Sequence, residues 1–127
     1  MVSPEDDIEL RRTTLVNRSR VRRTIELTSY AEVVLANPVS DALHPAFGKL
    51  FVQTELVRPL QAILCHRRPR AAGDATPWLF HLMAIHGADA TQVSYETDRA
   101  AFIGRGQVLA SPAAMRVGAL SGAEGSV

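Results

Sequence analysis

The feature that most constrains the fold is the alternation of side chains from Val21 to Ala36. Five apolar residues fall on one parity and four polar residues on the other: Ile25, Leu27, Ala31, Val33 and Leu35 against Thr24, Glu26, Thr28 and Glu32. A period of two over this length predicts a β-strand with one packed and one solvated face, because successive side chains of a strand point to opposite sides.

A second strand is predicted just before this one, from Ile8 to Val16, which is rich in Thr, Val and Ile. Residues 17–20 lie between the two and read as a turn, because the Asn17 side chain can replace a main-chain turn hydrogen bond. The two segments are therefore expected to form a hairpin, with the register fixed by the packing face.

Further strands are predicted along the rest of the chain, separated by proline- and glycine-containing excursions at 37–47, 69–77 and 87–92. Their ranges are 48–57, 61–68, 78–86 and 93–97. The run from Trp78 to His86 is apolar on both parities, which predicts a central strand covered on both faces. No helix of ordinary length is expected before Ser111, and a short helical turn is expected at Ala113 to Met115.

These elements predict an all-β, mainly antiparallel two-layer β-sandwich. We expect a partial sandwich domain over residues 1–115 and a flexible tail over residues 116–127, which are rich in Gly and Ser. Sandwiches commonly run to ~200–250 residues as one domain, so 127 residues indicate an incomplete sheet system. Open sheet edges recruit another strand, so we expect an adjoining module or a homo-oligomer as the partner.

The composition argues against several function classes. A net charge of +1 gives no field that would attract nucleic acid, although Arg11, Arg12, Arg22 and Arg23 and the run at 67–70 form local basic patches. The single cysteine, Cys65, and the absence of a signal-like apolar run predict a cytoplasmic protein without a membrane segment.

The candidate functional segment runs from Asp98 to Gly106, directly after the strand predicted at 93–97. Asp98 and Arg99 place opposite charges side by side, and Phe102 puts a large apolar group on a predicted loop. Gly104 and Gly106 flank Arg105, which leaves the backbone free to take φ > 0 or to approach another surface closely. Such a loop typically presents side chains to a ligand or partner, although a strand end with Phe102 over the core fits equally.

Other candidate sites remain alternatives. Glu96 and Asp98 would share a strand face with Cβ atoms ~7 Å apart, a separation that suits inverting glycoside hydrolysis, but an ion-paired loop is simpler. The histidines and Cys65 have no zinc spacing, so neither a metal nor another cofactor is expected. Trp78 and Tyr95 can stack on a sugar ring or belong to the core.

Four stretches resemble one known family: 8–19 (IELRRTTLVNRS), 25–36 (IELTSYAEVVLA), 44–55 (HPAFGKLFVQTE) and 95–106 (YETDRAAFIGRG). They are similar to the β-sandwich module of glycoside hydrolase family 94, in its branch of cyclic β-1,2-glucan synthases and related glycoside phosphorylases. The resemblance implies a supersandwich that precedes a catalytic (α/α)6 barrel, whose acidic residue acts as general acid while inorganic phosphate attacks the glycosidic carbon with inversion.

The resemblance also implies a role, and it allows a place in the cytoplasmic part of a membrane-bound synthase. We expect this chain to be a fragment of such an enzyme, a non-catalytic module that scaffolds the barrel and helps to bind a β-glucan oligosaccharide. The residues expected to contact substrate or barrel are Glu96, Asp98, Arg99, Phe102, Gly104, Arg105 and Gly106. In this interpretation Phe102 is the apolar anchor, Arg105 the polar contact, and the two glycines the hinges. An autonomous small glycosidase using Glu96 and Asp98, or a free-standing carbohydrate-binding module, are the alternatives.

Overall fold

The computed structural model describes residues 1–87 and 92–125. Its regular elements, in chain order, are helices α1 and α2, strands β1, β2 and β3, and helix α3. A 3₁₀ turn separates β1 from β2, and another follows α3. The bounds are Pro38–Leu43, Pro45–Lys49, Val52–Val57, Ala62–Arg67, Trp78–Leu82 and Arg99–Ile103, with the 3₁₀ turns at Arg58–Leu60 and Ala113–Arg116.

The three strands form one antiparallel sheet in the order β1-β2-β3. Thr54 lies opposite Cys65, which lies opposite Leu79, so these residues share one face of the sheet. That face carries the core cluster of Val33, Val52 and Cys65, with Leu35, Ile63 and Leu79 packed against it. The antiparallel, all-β prediction is confirmed, and so are the strand predicted at 61–68 and the loop at 69–77.

In strand β1 the alternation of apolar and polar residues in the sequence matches the alternation of buried and exposed side chains. Val52, Thr54 and Leu56 are buried, whereas Gln53 and Glu55 are exposed, as the sequence pattern predicted. The strand begins four residues later than predicted, because Pro45 starts α2 and this helix continues through Lys49. Proline fits the first turn of a helix, where its missing N–H has no partner to lose.

The excursion predicted at residues 37–47 is mainly helical. The side-chain oxygen of Asn37 accepts a hydrogen bond from the Val39 N–H at 2.9 Å, and Pro38 occupies the first helical position of α1. An Asn cap followed by Pro is a local start signal for a helix. The expectation that helices of ordinary length are absent before Ser111 agrees with these lengths of 6 and 5 residues.

The prediction that residues 78–86 form a central strand was wrong. Strand β3 ends at Leu82 and lies at the edge of the described sheet, paired only with β2. Trp78, Phe80 and Leu82 share one face, and each is at least half exposed. The apolar run predicted that both faces of the strand would be buried. In this structure only the face that carries Leu79 and His81 is partly buried.

The predicted hairpin of residues 8–16 and 21–36 is also not formed. The structure assigns no strand to either segment; a single bridge joins Val2 to Glu9. The turn itself was predicted correctly, since Asn17 Oδ1 accepts from the Ser19 N–H at 3.0 Å and Asn17 Nδ2 donates to Val21 O at 2.9 Å. The sequence favours extended backbone here, but a strand forms only where a partner supplies the ladder hydrogen bonds.

Residues 93–97 form no strand either, which corrects the prediction for this segment. They run beside the C-terminal segment, where the Gly122 N–H donates to Tyr95 O at 2.9 Å. The segment predicted as a flexible tail also contacts β1, because the Thr54 N–H donates to Gly125 O and the Leu56 N–H to Glu124 Oε1. The turn predicted at 87–92 lies largely outside the described residues.

No helix in the described part of the chain has the length and apolar character needed to cross a membrane.

Candidate functional site

The segment predicted as a loop at residues 98–106 contains a short helix, α3, from Arg99 to Ile103. The Asp98 carboxylate caps this helix, since Oδ1 accepts from the Ala100 N–H at 2.7 Å and from the Ala101 N–H at 3.1 Å. Asp is among the best N-cap residues because its oxygen satisfies N–H groups that have no partner inside the helix. The cap signal was therefore present in the sequence, and the loop prediction missed it.

Phe102 fixes α3 to the body of the protein. Its side chain is only 7% exposed, and its ring packs against that of Tyr30 with centroids 5.0 Å apart. The prediction of Phe102 as an exposed apolar anchor is therefore corrected, because this chain itself covers the ring. The alternative weighed from the sequence, Phe102 over the core, agrees with the structure.

Glu32 joins three elements through one carboxylate. Its Oε1 accepts from Arg99 Nε at 2.7 Å and from the Tyr30 hydroxyl at 2.6 Å, while Oε2 pairs with Lys49 Nζ at 2.6 Å. These contacts, the hydrogen bond from Lys49 above all, lower the pKa of Glu32 to about 2. Burial, and then the hydrogen bond to Glu32, raise the pKa of the Tyr30 hydroxyl. Arg99, predicted as a contact residue, is thus an anchor of α3.

A small cavity of about 50 Å³ lies between α3 and the segment from Tyr30 to Val33. Four of the seven predicted site residues line it: Glu96, Asp98, Arg99 and Phe102. It has the size of one or two water molecules and is far too small for a sugar ring. The structure therefore brings these four residues together as a support for α3.

The tip of the segment holds the remaining predicted residues. Gly104 has φ +84° and Gly106 has φ +72°, so both glycines take the conformation expected of them. A Cβ at Gly104 would lie 2.5 Å from Ala113 Cβ, which shows the close approach that the sequence also predicted. Arg105 is exposed between them and makes no salt bridge among the described residues.

The Glu96 carboxylate accepts hydrogen bonds from the main chain just before α3 begins. Its Oε1 accepts from the N–H groups of Thr97 and Asp98, both at 3.1 Å. Thr97 is buried, and its hydroxyl bonds to that of Thr54 at 3.0 Å and to Ala123 O at 3.1 Å. The two carboxylates considered for catalysis, Glu96 and Asp98, are therefore both acceptors for main-chain N–H groups.

The remaining candidates from the sequence are separated in space. The described residues contain no group of three or more His, Cys, Asp or Glu side chains that could hold a metal ion. His81 contacts Ser29 Oγ at 2.7 Å, and burial lowers the pKa of its ring. Cys65 is buried, and burial raises the pKa of its thiol. Trp78 stacks on His66 with centroids 4.6 Å apart, while Tyr95 is partly buried near Arg58.

Sequence reasoning did not identify Tyr30, Glu32 and Lys49 as part of this site. They lie between 50 and 69 residues before Arg99 in the chain, counting from Lys49 and Tyr30. Glu32 was assigned to the solvated face of a predicted strand, as any charge on the polar parity would be. Lys49, the only lysine of the chain, pairs with Glu32 in the structure, but no sequence pattern links the two residues.

Comparison with known proteins decides the family. The model of the glycosyl hydrolase 94 supersandwich domain matches residues 1–127. The chain belongs to this family. A cyclic β-(1,2)-glucan synthase, NdvB, of Rhizobium meliloti (strain 1021) is 41% identical over 126 residues, which cover 98% of this chain. The resemblance found in the sequence is thereby confirmed. The chain spans only 4% of the length of that relative, so it corresponds to a small part of a much larger enzyme.

Family membership agrees with the fold. The antiparallel sheet is that of an all-β, sandwich-type protein, and a supersandwich domain is what the sequence comparison identified.

Proposed function

We propose that this supersandwich domain is a non-catalytic module that shapes the sugar-handling site of an adjacent catalytic (α/α)6 barrel. The observation that carries the proposal is the exposed Arg105, which lies between two positive-φ glycines at the end of an anchored helix. The ligand of the joint site is a β-glucan oligosaccharide, in keeping with the name of the synthase to which the domain is similar.

The anchoring of α3 supports this role of Arg105. Asp98 caps the start of the helix, Arg99 is held by Glu32, and Phe102 is buried against Tyr30. A segment fixed in this way loses little conformational freedom on binding, so a contact made at its tip is not offset by a large ordering cost. Arg105 offers a planar set of N–H donors suited to carboxylates and sugar oxygens.

The experiment is made in the full-length synthase. Arg105→Ala should reduce glucan synthesis about tenfold, the loss expected when a hydrogen bond from a charged donor worth about 1.4 kcal/mol is removed. Arg105→Lys should recover part of the activity, because it keeps the charge without the planar fork. Arg20→Ala is the matched control, since Arg20 is also exposed and lies in the turn at residues 17–20, whose side-chain hydrogen bonds are all local.

Wild-type turnover in Arg105→Ala would refute the contact role. Phe102→Ala tests a different property, because its ring is buried: we expect loss of activity together with loss of stability. Circular dichroism of both variants separates these outcomes, since Arg105→Ala should leave the sheet signal unchanged.

A second candidate function, a free-standing carbohydrate-binding module, is favoured by one observation. Trp78 and Phe80 are both more than half exposed on the same face of β3, and aromatic faces stack on sugar rings. Calorimetry of the 127-residue chain with β-glucan oligosaccharides should then show saturable binding that Trp78→Ala abolishes. An exposed aliphatic residue on another segment, Leu15, provides the control Leu15→Ala.

We also propose that β3 is the edge through which copies of this chain associate, because β3 pairs on one side only among the described residues. Exposed apolar strand edges add further strands readily. Analytical ultracentrifugation should show concentration-dependent dimers for the native chain and monomers for Phe80→Lys. Dimers of unchanged strength in Phe80→Lys would place the association elsewhere.

A further inference from the structure

An open groove of about 570 Å³ lies between the segment from Val34 to Asn37 and the loop that follows β2. We call it the arginine groove, because three arginines line it: Arg67, Arg68 and Arg70. Its volume lies in the range of small-molecule sites. Neither the 98–106 segment nor the exposed face of β3 contributes to it.

The groove carries an excess of positive charge. In the part of the chain that the structure describes, none of these three arginines forms a salt bridge. The one carboxylate among the lining residues belongs to Asp74, and its Oδ2 accepts hydrogen bonds from the main-chain N–H groups of Arg70 at 3.0 Å and Ala71 at 2.9 Å. The acid therefore shapes the loop and leaves the guanidinium groups available.

Two of the three guanidinium groups are held in place by aromatic rings. Arg67 lies 5.4 Å from the centroid of Phe51, and Arg70 lies 5.3 Å from Phe51 and 5.4 Å from Phe47. The two rings pack edge to face with centroids 5.2 Å apart. Stacking on a ring uses the face of a guanidinium group and leaves the N–H donors at its edge free for a ligand.

The hydrogen bonds already made leave most of these donors available. Arg67 Nη1 donates to Leu35 O at 3.1 Å, which fixes this side chain against the opposite wall of the groove. A guanidinium group has five N–H donors, so Arg67 can still bind a second acceptor. Two neutral polar residues, Asn37 and Ser40, also line the groove.

We propose that the arginine groove binds the phosphate group of a small ligand, as free inorganic phosphate or as a hexose phosphate. Arginine recognises phosphate through paired, charge-assisted hydrogen bonds, and three such groups favour an anion with more than one negative charge. Asn37 and Ser40 supply contacts for the hydroxyl groups of an attached sugar. This proposal is independent of the role given to Arg105.

The test is a titration of the 127-residue chain followed by amide chemical shifts, at constant ionic strength. The probes are inorganic phosphate, a hexose phosphate and the corresponding neutral hexose. Both phosphates should shift the amides of residues 67–71 in a saturable way, and the neutral hexose should not. Tighter binding of the hexose phosphate than of inorganic phosphate would identify the sugar phosphate as the ligand, and equal binding would identify the phosphate group alone.

Variants locate the site. Arg68→Gln should weaken phosphate binding about tenfold, and this arginine stacks on neither phenylalanine, so the fold should not change. Arg68→Lys should restore part of the affinity as a point charge. Arg20→Gln removes one exposed positive charge from the turn at residues 17–20, which does not line the groove, and should leave the affinity unchanged.

Three results would overturn the proposal: no saturable shift with either phosphate, equal binding of the neutral hexose, or unchanged affinity in both Arg68→Gln and Arg70→Gln. Equal weakening by Arg20→Gln would also count against it, because it would show a general charge effect. Raising the salt concentration should weaken the true complex, since these side chains are exposed or only partly buried.

Discussion

Residues 11–36 and residues 52–67 each contain an alternating segment, at 21–36 and at 52–57, but the two regions have different structures. In residues 52–67, two antiparallel strands pair over six residue positions, from Val52 opposite Arg67 to Val57 opposite Ala62. In residues 11–36, no main-chain group makes a hydrogen bond to another main-chain group among the described residues. An alternating sequence therefore specifies which side chains would share a face, whereas the ladder depends on a partner strand.

The two regions also differ in how far their alternating apolar side chains are buried. Val52 is 1% exposed, whereas Ile25 and Leu27 are about half exposed. Residues 29–35 of this region reach the body of the protein. Val33 lies in the core, and Ser29, Tyr30, Glu32 and Leu35 contact side chains of other segments. A strand of the core therefore differs from an exposed extended segment in whether other residues bury its apolar face. The alternating pattern alone does not distinguish the two.

The largest difference between the two regions should appear with proline. Leu64→Pro places proline in the central strand, where it removes a ladder hydrogen bond and leaves a carbonyl unpaired, at a cost of about 3 kcal/mol or more. Glu26→Pro should have almost no effect, because residue 26 makes no main-chain hydrogen bond among the described residues. Urea denaturation of the two variants measures both. Equal destabilisation would show that residues 11–36 are paired in solution.

The next largest difference between the regions should appear when a valine in each is replaced by alanine. Val52→Ala should lower the free energy of unfolding by about 2 kcal/mol, because it removes buried methyl groups from the core and leaves a cavity. Val21→Ala should change it by less than about 0.5 kcal/mol, since Val21 is 66% exposed. Thermal denaturation of both variants makes the comparison. A large effect at Val21 would mean that a surface covers it in solution.

A smaller effect is expected for the carboxylate that ties residues 11–36 to the rest of the chain. Glu32→Gln removes the pairs with Lys49 and Arg99, and partial exposure limits the loss to about 1 kcal/mol. Glu26→Gln is the control, because Glu26 is exposed and unpaired among the described residues.

The pH dependence of the Glu32 effect has a defined sign. The pKa of Glu32 is lowered to about 2 from 4.5, so its contribution is complete above pH 4.5 and is lost as the pH falls through about 2. The difference in unfolding free energy between the native chain and Glu32→Gln should therefore shrink as the pH falls from 4.5 and disappear below about 2. A difference that keeps its neutral-pH size down to pH 2 would assign the loss to packing.

The smallest effect should come from His81, which links β3 to Ser29 in the unpaired region. Burial lowers the pKa of His81 below its ordinary 6.5, so the unfolded chain takes up the proton more readily than the folded one. Stability should be complete above pH 6.5 and should fall as the pH falls below that value. The slope near pH 6 should be smaller in His81→Gln, whereas His86→Gln, which changes an exposed histidine, should keep it.

Prediction succeeded where the signal was local. Asn17 forms the predicted turn, Gly104 and Gly106 take the predicted positive φ, and the proline-bounded loop at 69–77 is present. Each of these depends on the conformational preferences of one or two residues. The Asp98 cap was equally local, and recognising it would have predicted helix α3.

Prediction failed where the answer depended on contacts between distant residues. The sequence left Phe102 either at an interface or over the core; Tyr30 covers it, and no pattern in either segment encodes that pair. Trp78 was expected on a central strand, but β3 is an edge strand of the described sheet. An apolar side chain shows only that burial is favourable, without identifying the surface that buries it.

The sequence by itself determined the all-β class, the family and the glycine-flanked position of Arg105, because these depend on residue type and on spacing along the chain. The tertiary structure alone decided which alternating segments became strands, which residues anchor α3, and that Arg67, Arg68 and Arg70 share one groove. The physical reason is that ladder hydrogen bonds, apolar burial and ion pairs each require two groups to meet in space. In this protein such groups lie as much as 72 residues apart, as Tyr30 and Phe102 do.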